Sequence, residues 1–277
     1  MPVRHPSDLV DDAAVGMLLR RIPASLYKYS GVSGPRLEWM RKLIVDSMLY
    51  FASPTAFNDP LDCRVPPRYD ASALVIEQFF RRVAKQNYPG QNLRDHKRAI
   101  RQMVVDSKTP DGQARLTKQF FKSLHQNGTA CFAKDATNML LWSYYAEGHS
   151  GIAVRFNMAR DNLAAIPGEC IPVEVRDQQD FPNVNYYKST TAEFVATILG
   201  TKSVAWKHEE EWRLVLVGNS GYVRMPPAMI DGVILGMRID PEVESALRSC
   251  VGQRSPTVEL FRVVHCPNSF KLQLVPA

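Results

Sequence analysis

The 277-residue sequence has no apolar run approaching the roughly 18–20 residues that cross a bilayer as a helix, which excludes membrane-spanning helices. Its opening stretch, "MPVRHPSDLVDDAAVGMLLRR", is broken by Asp11 and Asp12 and lacks the order of regions of a signal peptide. Cysteine is scarce: five residues (63, 131, 170, 250 and 266), odd in number and without a CxxC pair. That speaks against a disulfide framework and predicts reduced, mostly buried thiols in a bacterial-type cytoplasm. Cys266 follows His265, but no second pair stands at ligand spacing, so no metal is expected. A Gly-rich phosphate loop of the P-loop or Rossmann type is missing. So is a Ser or Cys in a nucleophile-elbow context, which argues against a covalent hydrolase. There is no internal repeat and no low-complexity tract.

What is present points to a folded chain. Hydrophobic residues make up 45% and charged residues 22%, with 12 Phe, 10 Tyr and 4 Trp, enough for a sizeable core and too apolar for disorder. By length this is a single domain over 1–277, with an α+β core over 24–277 that carries an insertion. The net charge of +6 is uneven. Arg81, Arg82, Lys85, Arg94, Lys97, Arg98, Arg101, Lys108, Arg115, Lys118 and Lys122 face only Asp95, Asp106 and Asp111, so residues 81–122 hold a net +8 and the remainder −2.

Periodicity gives the order of elements. "SLYKY" (25–29) and "MLYFA" (48–52) read as strands around a helix near 36–47, and "SPTAFNDP" (53–60) as a turn cluster. From 70 to 125 three stretches with apolar residues at three-to-four spacing, separated by Pro89-Gly90 and Pro110-Asp111-Gly112, predict a basic helical insertion. "TACFA" (129–133) returns to strand. "TNMLLWSYYAEGHSG" predicts a short helix ending near Gly148, with Met139, Trp142 and Ala146 on one face. "IAVRF" (152–156) predicts a strand with Ile152, Val154 and Phe156 on one side. Asp240-Pro241 marks a helix start, and "VELFRVVHC" with "FKLQLVP" a closing hairpin. Strands dominate and helices do not alternate regularly, so the expected class is α+β with mostly antiparallel or mixed sheets.

The chemistry-bearing stretch is "AWKHEEEWRLVLV" (205–217). If 209–217 is extended, Glu209, Glu211, Arg213 and Val215 share one face, roughly 6.5–7 Å apart at successive Cα atoms, and Glu210, Trp212, Leu214 and Leu216 the other. If it is helical, Glu209 and Arg213 form only an i,i+4 pair; the β-branched run that follows favours the strand. Two carboxylates held together repel, and such a pair can stabilise a developing oxocarbenium-like cation. A solvated turn ahead of a strand is the plainer alternative.

Four motifs stand in order: "LYKY" (26–29), "LYFASPTAFNDPLD" (49–62), "CFAKDATNMLLWSYYAEGHSGIAVRFN" (131–157) and "WKHEEEWRLV" (206–215). Together they resemble the bacterial family called domain of unknown function 2971. A looser resemblance is to ADP-ribosyltransferases, which implies a split β-sandwich and chemistry on NAD through a Glu-x-Glu motif, of toxin or defence type. On that resemblance Lys28, flanked by Tyr27 and Tyr29, would hold a ribose or phosphate of NAD. Tyr145 would line the nicotinamide pocket, Glu211 would be the catalytic carboxylate, and Glu209 would orient the acceptor. The chain departs from the commoner pattern in having Lys28 rather than Arg or His on the first strand, and no Ser-Thr-Ser.

Each candidate has a plainer role. Lys28 would be an exposed residue on an edge strand, and Asn58 and Asp59, which could line the cofactor site, would be ordinary turn formers. Trp142 would be core; His149, past a glycine helix end, would be a dipole partner rather than an acid or base. Arg213 would neutralise a neighbour. The expected function is therefore ADP-ribosyl transfer or NAD hydrolysis. The alternatives are a non-catalytic nucleic-acid- or acidic-partner-binding module using the helices of 81–122, whose aromatics sit at core spacing, and a regulatory or defence-linked domain that binds no NAD.

Overall fold

The structure is a computed structural model and describes residues 21–87, 97–168, 170–189 and 191–277. Residues 1–20 of the opening stretch read for a leader, the Pro89-Gly90 break, Arg94 and Asp95 lie outside these residues. Eight strands form one sheet, in the order β12-β11-β10-β4-β1-β3-β8-β5. The strands are β1 (Ser25–Ser30), β3 (Gly128–Ala133), β4 (Ile152–Asn157), β5 (Cys170–Glu174), β8 (Glu211–Leu216), β10 (Ile230–Leu235), β11 (Glu259–His265) and β12 (Leu272–Pro276). All neighbours are antiparallel except β10 and β11. Two small sheets pair β2 (Met48–Phe51) with β9 (Gly221–Arg224), and β6 (Arg176–Gln178) with β7 (Thr201–Ser203). The class is the expected α+β.

β1 runs beside β4 through six register pairs but meets β3 in one, Tyr27↔Ala133. The main sheet is thus hinged there into a five-strand and a three-strand part. Lys28 sits at this junction, on an interior strand rather than the edge strand considered from sequence.

Both faces of the larger part are covered. Ile152, Val154 and Phe156 of β4 join Leu26, Leu43, Ile44, Val233 and Leu247 in the largest core cluster, while Ala153 turns to the other face with Trp142, Ala146 and Ile234. That alternation is the period of two expected for the strand. Helix α1 (Pro35–Asp46) and helix α8 (Pro241–Gly252) close the first face. A parallel neighbour needs a crossover, and α8 supplies it between β10 and β11. It starts as predicted, with the Asp240 carboxylate accepting from the amides of Glu242 and Val243. Helix α5 (Met139–Tyr145) covers the second face. Its Trp142 and, just past its end, Ala146 are fully buried, but Met139, expected beside them, is 44% exposed. Burying a Trp removes about 150–250 Å² from water, about 4–6 kcal/mol of transfer free energy.

The insertion contains α2 (Ala73–Asn87), α3 (Lys97–Asp106) and α4 (Pro110–Leu124). Ile76, Phe80 and Ile100 pack with Tyr187, supported by Phe79, Met103 and Leu116, into a separate small core. Phe120, Phe121 and Leu124 of α4 reach a further cluster with Val173, Ile198 and Val215, which anchors the insertion to β5, β8 and α7 (Thr191–Ile198). Among the described residues no helix is long and apolar enough to cross a membrane. All five cysteines are free thiols.

Candidate functional site

The glutamate stretch folds differently from the extended reading. Residues Val204–Glu209 form a short 3-10 helix, started by the Ser203 hydroxyl accepting from the Ala205 amide and ended by Glu210 in the left-handed region (φ 42°, ψ 50°). The strand begins only at Glu211. Within it the period of two holds: Trp212, Leu214 and Leu216 enter the main core, and Glu211, Arg213 and Val215 face the opposite way. Glu209 therefore does not reach Glu211 along a strand. The left-handed residue between them turns the chain, and Lys202, the middle residue of β7, joins the two carboxylates. Its ammonium lies 2.5 Å from Glu209 Oε2 and 2.9 Å from Glu211 Oε2.

Around this junction is a buried ionic network. Arg213 donates from Nε to Glu211 Oε1 at 2.7 Å and from Nη2 to Glu211 Oε2 at 3.0 Å. The other edge of its guanidinium grips Asp62 at 3.0 and 2.7 Å and the Leu199 carbonyl at 2.9 Å. The Cys131 thiol lies near Glu211 and favours its charge. Lys28 is half-buried, with its ammonium 3.4 Å from the Cys131 carbonyl and 5.7 Å from the Phe132 ring centroid. Three carboxylates (Asp62, Glu209 and Glu211) thus meet two cations (Lys202 and Arg213), while the Lys28 ammonium is held by the Cys131 carbonyl beside them. Burial opposes ionisation of Glu211, but Arg213 first and Lys202 after it outweigh burial and hold its pKa at about 2. Burial likewise works against the charge of Lys202, and the two glutamates outweigh it and raise its pKa. For Lys28 burial wins over the attraction of Glu211 and lowers the pKa. Burial and the neighbouring Glu211 charge push the Cys131 thiol well above its usual range, so it is no thiolate nucleophile.

Beside the network lies a solvent-open cleft of about 490 Å³, lined by Asn58, Tyr144, Tyr145, Ala205, Trp206 and His208. Its size is that of a small-molecule site. Tyr145 connects it to the ionic cluster: its hydroxyl donates to Glu209 Oε1 at 2.8 Å. Burial and the adjacent Glu209 carboxylate raise the Tyr145 pKa, so the phenol stays protonated. The Trp206 indole N–H donates to Asp59 Oδ2 at 2.9 Å, and the Lys202 ammonium stands 5.1 Å from the Trp206 ring. The His208 ring lies between Tyr144 and Trp206, with its carbonyl accepting from Asn138 Nδ2 at 2.6 Å. Its Nε2 is buried with no hydrogen-bond partner.

The sequence candidates separate into three places. Asn58 and Tyr145 line the cavity and Asp59 braces its wall; Glu209, Glu211, Arg213 and Lys28 belong to the network behind it. Tyr27, Tyr29 and His149 instead pack around Trp142. The Tyr29 hydroxyl donates to the Asp135 carbonyl at 2.6 Å and its ring meets Trp142 edge-on. His149 stacks on the indole with an interplanar angle of 14°, in a left-handed backbone conformation (φ 70°). Burial, then Arg238, lowers its pKa.

Lys202, Asp62, Tyr144, Trp206 and His208 were not among the candidates. Trp206 and His208 flank the glutamates in sequence, and that adjacency was a usable signal. Lys202 carried none, since an isolated lysine ordinarily reads as solvent-exposed. Comparison of the chain with protein-family models, with curated proteins and with solved structures finds no match.

Proposed function

We propose that the cavity binds the nicotinamide end of NAD and that the protein cleaves its N-glycosidic bond, passing ADP-ribose to water or to an acceptor. The observation behind this reading is Tyr145, which lines an aromatic cavity and donates 2.8 Å to a buried glutamate. Indole, phenol and imidazole surfaces suit a flat heterocycle. In the reaction the bond from ribose C1′ to the nicotinamide nitrogen breaks, its electron pair leaves with the nicotinamide, and the ring carbon becomes cationic. Water then bonds to C1′ and releases a proton. A phenol that donates its hydrogen to Glu209 turns its oxygen lone pairs elsewhere and is polarised by the carboxylate behind it. It is the group this reading places against the cation. Glu209 acts through Tyr145 as a positioning residue, and Glu211 holds Lys202 and Arg213 in register rather than touching ligand.

The test is nicotinamide release from NAD at pH 7, followed chromatographically. The wild-type chain is expected to turn over. Tyr145→Phe, which keeps the ring and removes the oxygen, is expected to slow release roughly 100-fold, the scale of losing one electrostatic contact in a reacting site. Glu209→Gln should slow it as well while NAD still raises the melting point. Absence of both turnover and an NAD-induced melting shift in the wild type would overturn the reading, and so would undiminished release by Tyr145→Phe.

A further inference from the structure

We propose that the outer face of the helical insertion is a docking surface for the phosphate backbone of double-stranded nucleic acid, read without regard to sequence. Every described basic side chain of this region is exposed: Arg81, Arg82 and Lys85 on α2, Lys97, Arg98 and Arg101 on α3, Lys108 in the turn that follows, and Arg115, Lys118 and Lys122 on α4. On each helix these cations recur at three-to-four spacing on the solvent side, with the Arg82 guanidinium 5.6 Å from the Phe79 ring centroid at the margin of the insertion's own core.

An ordinary solvated helix face alternates charge sign, because oppositely charged i,i+4 pairs stabilise it and like pairs do the reverse. Here the like pairs prevail: Arg81 with Lys85, Arg82 with Lys85, Lys97 with Arg101, Arg98 with Arg101, Arg115 with Lys118, and Lys118 with Lys122. The described acidic residues of the three helices are Glu77, which pairs with Arg81, Asp106, which is held by Gln102, and Asp111 in the first turn of α4. Nothing in the fold requires this self-repulsion, since the core of the insertion is made by the other face. A polyanion relieves it and gains the release of its own counterions.

The aromatics distinguish the kind of nucleic acid. Single strands are gripped by exposed rings on which bases stack. The described aromatics of the insertion point inward: Phe79 and Phe80 pack with Tyr69, Tyr186 and Tyr187, and Phe120 with Phe194. Among the described residues of the three helices no aromatic side chain is exposed. Among the described residues the surface offers charge without stacking, which suits a duplex. This inference does not depend on the NAD reading.

The experiment uses the full chain with a fluorescent duplex of random sequence and the matching single strand, titrated from 50 to 200 mM salt. Duplex binding should exceed single-strand binding, change little with sequence, and weaken steeply as salt rises. The Arg115→Ala/Lys118→Ala/Lys122→Ala variant alters only exposed helical positions. It should keep its melting point and flatten the plot of log K against log salt by about 2.7, or about 0.9 for each phosphate contact removed. A control with the same loss of charge elsewhere, Arg160→Ala/Arg238→Ala/Lys271→Ala, should leave that slope unchanged. Four results would each overturn the proposal: no duplex binding at 50 mM salt, tighter binding of the single strand, an unchanged slope in the α4 variant, or an equal loss in the control.

Discussion

Replacing Lys202 with Met tests the central geometry most directly. The ammonium is buried, with Glu209 and Glu211 at 2.5 and 2.9 Å. Methionine fills a similar volume but leaves two buried carboxylates facing one another, with Arg213 already committed to Glu211 and Asp62. Breaking a buried ion pair by removing one partner costs about 3–5 kcal/mol, chiefly the penalty of the uncompensated charge left behind. The Glu211 shift sets an upper bound on the share of Lys202, because Arg213 contributes more of it. A pKa of about 2 against an ordinary value of 4.5 corresponds to about 3 kcal/mol of stability at neutral pH, since each pH unit is worth about 1.4 kcal/mol. At about 2–4 °C per kcal/mol, the melting midpoint should fall by roughly 6–20 °C at pH 7.

The pH dependence has a definite sign. Glu211 has a depressed folded-state pKa, so its contribution is fully present above the unfolded value of 4.5 and is lost as pH falls toward about 2. The gap between wild type and Lys202→Met should therefore be widest at neutral pH and narrow steadily below about 4.5. Adding Glu209→Gln to Lys202→Met removes one of the two opposed charges and should recover part of the loss, giving a coupling energy in a double-mutant cycle. Urea unfolding of the four proteins at pH 7 and pH 3 measures all of this. A cost below about 1 kcal/mol at pH 7, or a gap that stays constant between the two pH values, would refute the reasoning.

Two further substitutions test the fold around the site. Gly236→Ala would place a Cβ 2.2 Å from the His149 carbonyl oxygen and 2.7 Å from that of Gly151, both backbone atoms, and should cost about 1–3 kcal/mol in a urea titration; an unchanged midpoint would contradict the close approach of these segments. Asp240→Ala removes the cap of α8 and should cost about 1 kcal/mol, whereas Asp240→Asn, which can still accept from the Glu242 and Val243 amides, should cost far less.

The sequence by itself determined whatever repeats over a few residues. The two-residue period of Ile152, Val154 and Phe156, the three-to-four spacing of the insertion helices, the Asp240-Pro241 helix start and the closing hairpin (β11 with β12) were all legible, because a strand or an amphipathic helix shows its buried face in its own local pattern. Phe79, Phe80, Phe120 and Phe121 were likewise legible as core. Tertiary structure alone decided where those elements meet. Glu209 and Glu211 came together not through the strand period but through a left-handed turn at Glu210 and the ammonium of Lys202, contributed by another strand. Arg213 found Asp62, 151 positions away in sequence, and Trp206 found Asp59 across 147. Tyr27, Tyr29 and His149, motif residues in sequence, turned to Trp142 instead of the cavity. Such pairings depend on the order of strands in the sheet and on which face each helix covers, and no window of neighbouring residues contains that information.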